Sequence, residues 1–187
     1  MFGRQTYDIE PDVLVMSKQI TSSYAPFSAF MINDRFYEPI AEESGRIGVL
    51  GHGYTGGGHP VGAAVALENI NIIEERDLVA KTKENGEYFQ AKLRELLDHP
   101  IVGEVRGVGM IAGVELVTDK DNKIAGEKPG QMGLAANKAL LDNGIIIRNI
   151  MDTMAFCPPL IIDRPQIDEL LGAIHKTLTS VQEEFGV

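Results

Sequence analysis

Residues 12–33, DVLVMSKQITSSYAPFSAFMIN, decide how the chain is read. Val13, Leu14, Val15 and Met16 are an uninterrupted apolar run, the pattern of a short strand buried on both faces of a sheet. Lys18 ends the segment. In open α/β sheets ligands bind at the carboxyl edge of the strands. An amine partly stripped of water at such an edge holds its proton less tightly, and a neutral amine attacks carbonyl groups. A solvated lysine opening a loop is the competing reading of the same residues. Residues 21–26 then make a polar turn ending in Pro26, and residues 29–32 read as a second short strand.

Around this stretch the composition sets bounds. Of 187 residues, 44% are hydrophobic and 24% charged, so the chain can bury a core and is not of the disordered class. Lys and Arg number 17 against 27 Asp and Glu, a net charge of −10, which argues against nucleic acid as a partner. An anionic ligand must therefore be held by local cations and backbone N–H groups. The single cysteine, Cys157, excludes an intrachain disulfide and fits a reducing, cytoplasmic setting. With no base nearby and the apolar neighbours Phe156, Pro158 and Pro159, it is not expected to be a nucleophile. No run is long and apolar enough to read as a membrane span, so no membrane partner is expected.

Residues 51–60 are the most unusual local sequence: GHGYTGGGHP, directly ahead of a helix starting near Val61. Glycines allow close backbone approach, and a following helix offers unpaired N–H groups, a combination that can hold phosphate, with Thr55 adding a hydroxyl. A flexible surface loop is the alternative. His52 and His59 do not have zinc-site spacing, so no metal is expected. Residues 35–43 suit a helical turn or two. Residues 61–75 are rich in alanine and isoleucine and predict a helix buried on most sides, and a second, charged-faced helix runs to about Leu97. Residues 102–117 alternate glycine with apolar residues and suit a strand pair bent at Gly107 and Gly109. A helix over 131–142, strands over 145–150 and 154–157, and a final helix follow. Asp163 is its N-cap and Gln166 completes a capping box, ahead of the stripe Ile167, Leu170, Leu171, Ile174, Leu178, Val181 and Phe185. Arg148, following Ile145, Ile146 and Ile147, can project its guanidinium from a rigid strand onto a carboxylate, or it can serve a structural ion pair. Arg106, between glycine-containing strands, reads as structural.

Four stretches, FGRQTYDIEPDVLVMSKQITSSYAPFSA, HGYTGGGHPVGAAVALENI, VRGVGMIAGVEL and GIIIRNIMDTMAFCPPLII, occur in an order that resembles the class III aminotransferases, the ω-transaminase group of fold type I. The likeness covers essentially the whole chain. It implies an α/β fold: the end of a pyridoxal 5'-phosphate-binding large domain over residues 1–85, then an α+β small domain over residues 86–187. It also implies that Lys18 is the lysine to which the cofactor attaches covalently and which then shuttles protons. Thr55 matches a threonine that bonds the cofactor phosphate, reaching into the neighbouring subunit's site, and Arg148 an arginine that clamps substrate carboxylate. The implied reaction moves an amino group from an ω-amino acid or amine to a keto acid such as pyruvate. A homodimer or tetramer is implied.

Family chains are more than twice as long, and the acidic residue that protonates the cofactor ring and a phosphate-binding loop lie upstream of the stretch matched by Phe2-Gly3-Arg4. These 187 residues are therefore expected to be the C-terminal part, without turnover alone, and a separate chain supplying the N-terminal half is one expectation. A catalytically silent module that keeps the dimer and small-domain surfaces, or an aminomutase or decarboxylase of the same family, are the alternatives. Gly56-Gly57 replaces a bulkier pair common after the threonine.

Overall fold

A computed structural model describes residues 1–187, which divide into two compact units, Met1–Val79 and Ala80–Val187. The division falls at the start of a helix.

In the first unit a short helix α1 (Gly3–Tyr7) precedes strand β1 (Val13–Ser17), a single 3-10 turn (Lys18–Ile20) and strand β2 (Ser28–Ile32). β1 and β2 pair antiparallel, Val13 opposite Ile32 and Ser17 opposite Ser28. They form a two-stranded ribbon with no third strand. The apolar run at β1 had predicted burial on both faces. Instead β1 alternates between exposed and half-buried, and Val15 is 73% exposed. The reason is that the next strand, reached through the short connection 18–27, pairs antiparallel rather than by a crossover, and no helix covers the ribbon's outer face.

Helix α2 (Asp34–Ile47) is longer than the turn or two expected. Asn33 caps it by accepting from the Phe36 N–H at 3.3 Å, and Gly48, at φ 81°, ends it. Helix α3 (Pro60–Glu75) was expected to be buried on most sides, yet only Gly62, Ala66 and Ile73 are buried, while Val61 and Leu67 are exposed. Only one of its faces packs within the unit, against the turn after β1 and against Phe27, whose ring would stand 2.8 Å from a Cβ at Gly62.

The second unit has the larger core. Helix α4 (Leu78–Glu95), a 3-10 turn (Leu96–Asp98), strands β3 (Val102–Val108) and β4 (Ile111–Leu116), helix α5 (Gln131–Asp142), strands β5 (Arg148–Ile150) and β6 (Thr153–Phe156) and helix α6 (Arg164–Phe185) follow in order. The sheet is antiparallel throughout, ordered β3-β4-β6-β5. Alternation places Ala112, Val114, Leu116, Met154 and Phe156 on its inner face, where they join Phe89 and Leu93, Met132 and Leu140, and Ile167, Ile174 and Leu178 from the helices. Each of these side chains larger than alanine contributes about 1.5–3 kcal/mol when buried. The Phe89 and Phe156 rings meet edge to face at 6.4 Å.

The capping box foreseen for α6 is formed: Asp163 accepts from the Gln166 N–H at 2.9 Å, and Gln166 Oε1 accepts from the Asp163 N–H at 3.1 Å. The stripe from Ile167 to Val181 is buried, with Phe185 half-buried at the end. β5 begins only at Arg148, because Ile145–Ile147 pair with no neighbouring strand. Asp152, 6% exposed, accepts from the N–H groups of Gly130 at 2.7 Å and Gly133 at 3.0 Å, closing the amino end of α5. No helix of the chain is long and apolar enough to cross a membrane.

Candidate active site

Lys18 stands where β1 gives way to the 3-10 turn, with a backbone φ of 55°. A residue with a Cβ in the left-handed region costs about 1–2 kcal/mol, and the turn repeats this at Ser22 (φ 47°) and Ser23 (φ 63°). Strain of this kind persists only where surrounding contacts over-determine it. The Lys18 and Gln19 carbonyls accept from the N–H groups of Thr21 and Ser22, both at 3.2 Å, and the buried Thr21 hydroxyl donates to the Ala25 carbonyl at 2.8 Å. Lys18 lines an open recess of about 320 Å³ together with Thr21, Ser23, Ala25, Pro26 and Phe27. The sequence pointed to a partly desolvated amine. Lys18 is exposed, since nothing in its unit covers the recess.

One residue that braces this turn was not singled out in the sequence. Asn69, half-buried on α3, donates through Nδ2 to the Gln19 carbonyl at 2.7 Å and the Ile20 carbonyl at 3.3 Å, and its Oδ1 accepts from the Ser22 hydroxyl at 2.8 Å. No local signal sets it apart, since Glu68 and Asn71 are polar neighbours on the same helix.

Thr55 opens the turn in the glycine-rich loop, which the Gly57 N–H closes by donating to the Tyr54 carbonyl at 2.8 Å. Every residue from 51 to 60 is exposed. Apart from that of Gly57, the amides of 51–58 make no hydrogen bond within the chain, and no side chain caps α3. The loop thus presents free donors and a hydroxyl. Lys18 and Thr55 belong to the same unit, but Thr55 does not line the lysine's recess.

Arg148 lies in the second unit, at the first position of β5, exposed and without an ion-pair partner in the chain. It lines a recess of about 950 Å³ with Ala155, Cys157, Pro158, Gln166 and Glu169 among others. Strand register puts Arg148 opposite Ala155, Ala155 opposite Gly113, and Gly113 opposite Arg106. The four share one row on the outer face of the sheet. Arg106 is engaged: Nη1 donates to Glu115 at 2.6 Å, with Glu104 at 3.4 Å. The hydrogen bond to Glu115, outweighing partial burial, pushes its pKa further above the ordinary guanidinium value. Cys157 is exposed rather than shielded, because the prolines after it carry the chain along the rim of the recess. No group of three or more His, Cys, Asp or Glu side chains is placed to hold a metal ion.

The residues fit a phosphorylated aldehyde cofactor in kind: an amine at a recess, and a threonine hydroxyl with free amides in a glycine-rich loop. The chain is 42% identical over 178 residues to the putrescine–pyruvate aminotransferase of Pseudomonas aeruginosa, covering 95% of this chain and 38% of that protein. Among solved structures, a transaminase with L-alanine superposes with a TM-score of 0.95 at 61% identity, over 98% of this chain and 43% of the other. The ω-transaminase of Pseudomonas jessenii in complex with PMP superposes with a TM-score of 0.95 at 43% identity, over 100% of this chain and 41% of the other. The chain thus spans about two-fifths of the length of the relatives it matches. Residues 1–178 match the family described as aminotransferase class III, and the chain belongs to that family of pyridoxal-phosphate-dependent enzymes.

Proposed function

We propose that this chain is the C-terminal portion of an aminotransferase that moves an amino group from an ω-amino acid or amine to a keto acid such as pyruvate. The observation that carries the reading is the placement of Lys18: an unpaired amine, in a strained backbone conformation, at the end of a strand and beside a recess. In this reading Lys18 holds pyridoxal 5'-phosphate, which when bound supplies the electron sink for chemistry at the amine carbon. Lys18 then accepts and returns the proton at that carbon through Nζ. Thr55 and the free amides of its loop hold phosphate oxygens. Arg148 forms a two-pronged pair with a substrate carboxylate.

Residues 1–85 belong, in this reading, to the cofactor-binding large domain and residues 86–187 to the small domain, and the working protein is a homodimer or a tetramer. Turnover by the 187 residues alone is not expected, because no acidic side chain lines the Lys18 recess to keep a proton on a pyridine nitrogen. The same observation favours a second reading, in which the isolated chain is a catalytically silent module.

Adding pyridoxal 5'-phosphate to the purified chain, fixing the adduct with borohydride and mapping it by mass spectrometry tests the assignment. Modification concentrated on Lys18 supports it. Scatter over exposed lysines such as Lys81 and Lys176 would sink the catalytic role of Lys18.

A further inference from the structure

We infer that Asn69 is the positioning residue for Lys18, deepening the reading in which Lys18 is the carbonyl-reactive amine. Its carboxamide is the only side chain from outside the turn that hydrogen bonds to residues 18–25, and it does so at three points. Nδ2 spends both protons on consecutive carbonyls, those of Gln19 and Ile20, while Oδ1 accepts from Ser22. Ser22 in turn accepts from Gln19 Nε2 at 2.9 Å, so Gln19 and Ser22 are bonded to each other and each to the Asn69 carboxamide.

These contacts fall on the segment where three non-glycine residues, Lys18, Ser22 and Ser23, hold left-handed backbone angles. Without an outside brace such a turn relaxes toward right-handed or extended angles, and a change of φ at Lys18 swings its side chain away from the recess. Asn69 is not there for the helix, since alanine is the better helix former at an interior position. The donors are chemically required as well. An aspartate at 69 would keep the shape and the contact with the Ser22 hydroxyl but would turn a carboxylate oxygen on two carbonyl oxygens.

The test uses the purified 187-residue chain with Asn69→Ala and Asn69→Asp. Pyridoxal 5'-phosphate with borohydride measures labelling of Lys18 relative to Lys176, and hydrogen–deuterium exchange measures the amides of residues 18–25 against those of β1 and β2. The expected result is a Lys18 to Lys176 ratio about tenfold lower in both variants, with the aspartate at least as impaired as the alanine. Exchange should quicken about tenfold in the 18–25 turn alone.

An unchanged ratio, an aspartate variant that behaves as wild type, or exchange that quickens uniformly through residues 1–79 would overturn the inference, the last marking a merely structural residue. If the wild-type chain shows no preference for Lys18, the catalytic reading of that lysine fails. The exchange arm then decides on Asn69 alone: quickening confined to 18–25 keeps it as the brace of the turn, and no quickening removes it.

Discussion

Arg106 and Arg148 stand at opposite edges of one row across the sheet of the second unit, separated by Gly113 and Ala155, and only Arg106 has an anionic partner. Three strand spacings, about 14 Å, lie between their backbones. A Cβ at Gly113 would meet the Thr153 methyl group at 3.2 Å and the Arg106 stem at 3.8 Å, an ordinary contact. The sheet thus carries one arginine paired with Glu115 and one with no ion-pair partner in the chain, and substitution should separate the two.

Arg148→Ala is expected to leave stability within about 0.5 kcal/mol, since its exposed side chain makes no hydrogen bond or ion pair within the chain. Arg106→Ala leaves Glu104 and Glu115 facing each other across β3 and β4 and should cost up to about 1 kcal/mol. Urea unfolding of both variants measures the difference. Equal losses would contradict the division of roles.

Gly133 and Gly172 make a second pair of opposites. A Cβ at Gly133 would stand 2.0 Å from the Met151 carbonyl oxygen, whereas one at Gly172 would meet nothing within 4 Å. Gly133→Ala should cost about 3 kcal/mol or more, because backbone must move to admit the methyl group. Gly172→Ala should stabilise α6 by about 0.5–1 kcal/mol. Thermal denaturation should shift in opposite directions for the two.

Asp152→Ala removes the shared acceptor of the Gly130 and Gly133 amides, so two donors at the amino end of α5 lose their partner. A loss of about 2 kcal/mol is expected, and hydrogen exchange should quicken first in the opening turn of α5.

His99 sets a pH dependence. Burial, reinforced by His175 and Lys120, holds its pKa below the ordinary imidazole value, and its buried Nδ1 has no hydrogen-bond partner. The unfolded chain therefore takes up this proton first as pH falls, and the folded state loses stability below about pH 6.5, with nothing lost above it. Melting temperatures at about pH 8 and about pH 5 should differ less in His99→Gln than in the wild type. An equal difference would exclude His99 as the source.

The second unit was the more legible from sequence because its signals are local. The capping pair Asp163 and Gln166 lies three residues apart, and the α6 stripe repeats at helical period. Lys18, Thr55 and Arg148 were legible as residue types at element ends. Their surroundings were not. The bonds from Asn69 reach 47 to 50 residues back along the chain, and no periodicity records such a pairing. The row linking Arg106 to Arg148 depends on the register of four strands, which a single chain's pattern does not specify. The apolar run of β1 reads as doubly buried because composition alone does not record how many faces of a strand are covered.

The β1–β2 ribbon has a practical consequence. Each of its strands has one open edge, and Val15, Phe30 and Met31 stand exposed on its faces. An uncharged, apolar edge is a template for strand addition, and a lone hairpin is marginal in water. In concentrated solution copies will meet edge to edge at this ribbon first. Aggregation should therefore rise steeply with protein concentration, and a single lysine at position 15 or 30 should suppress it while leaving the second unit's core untouched.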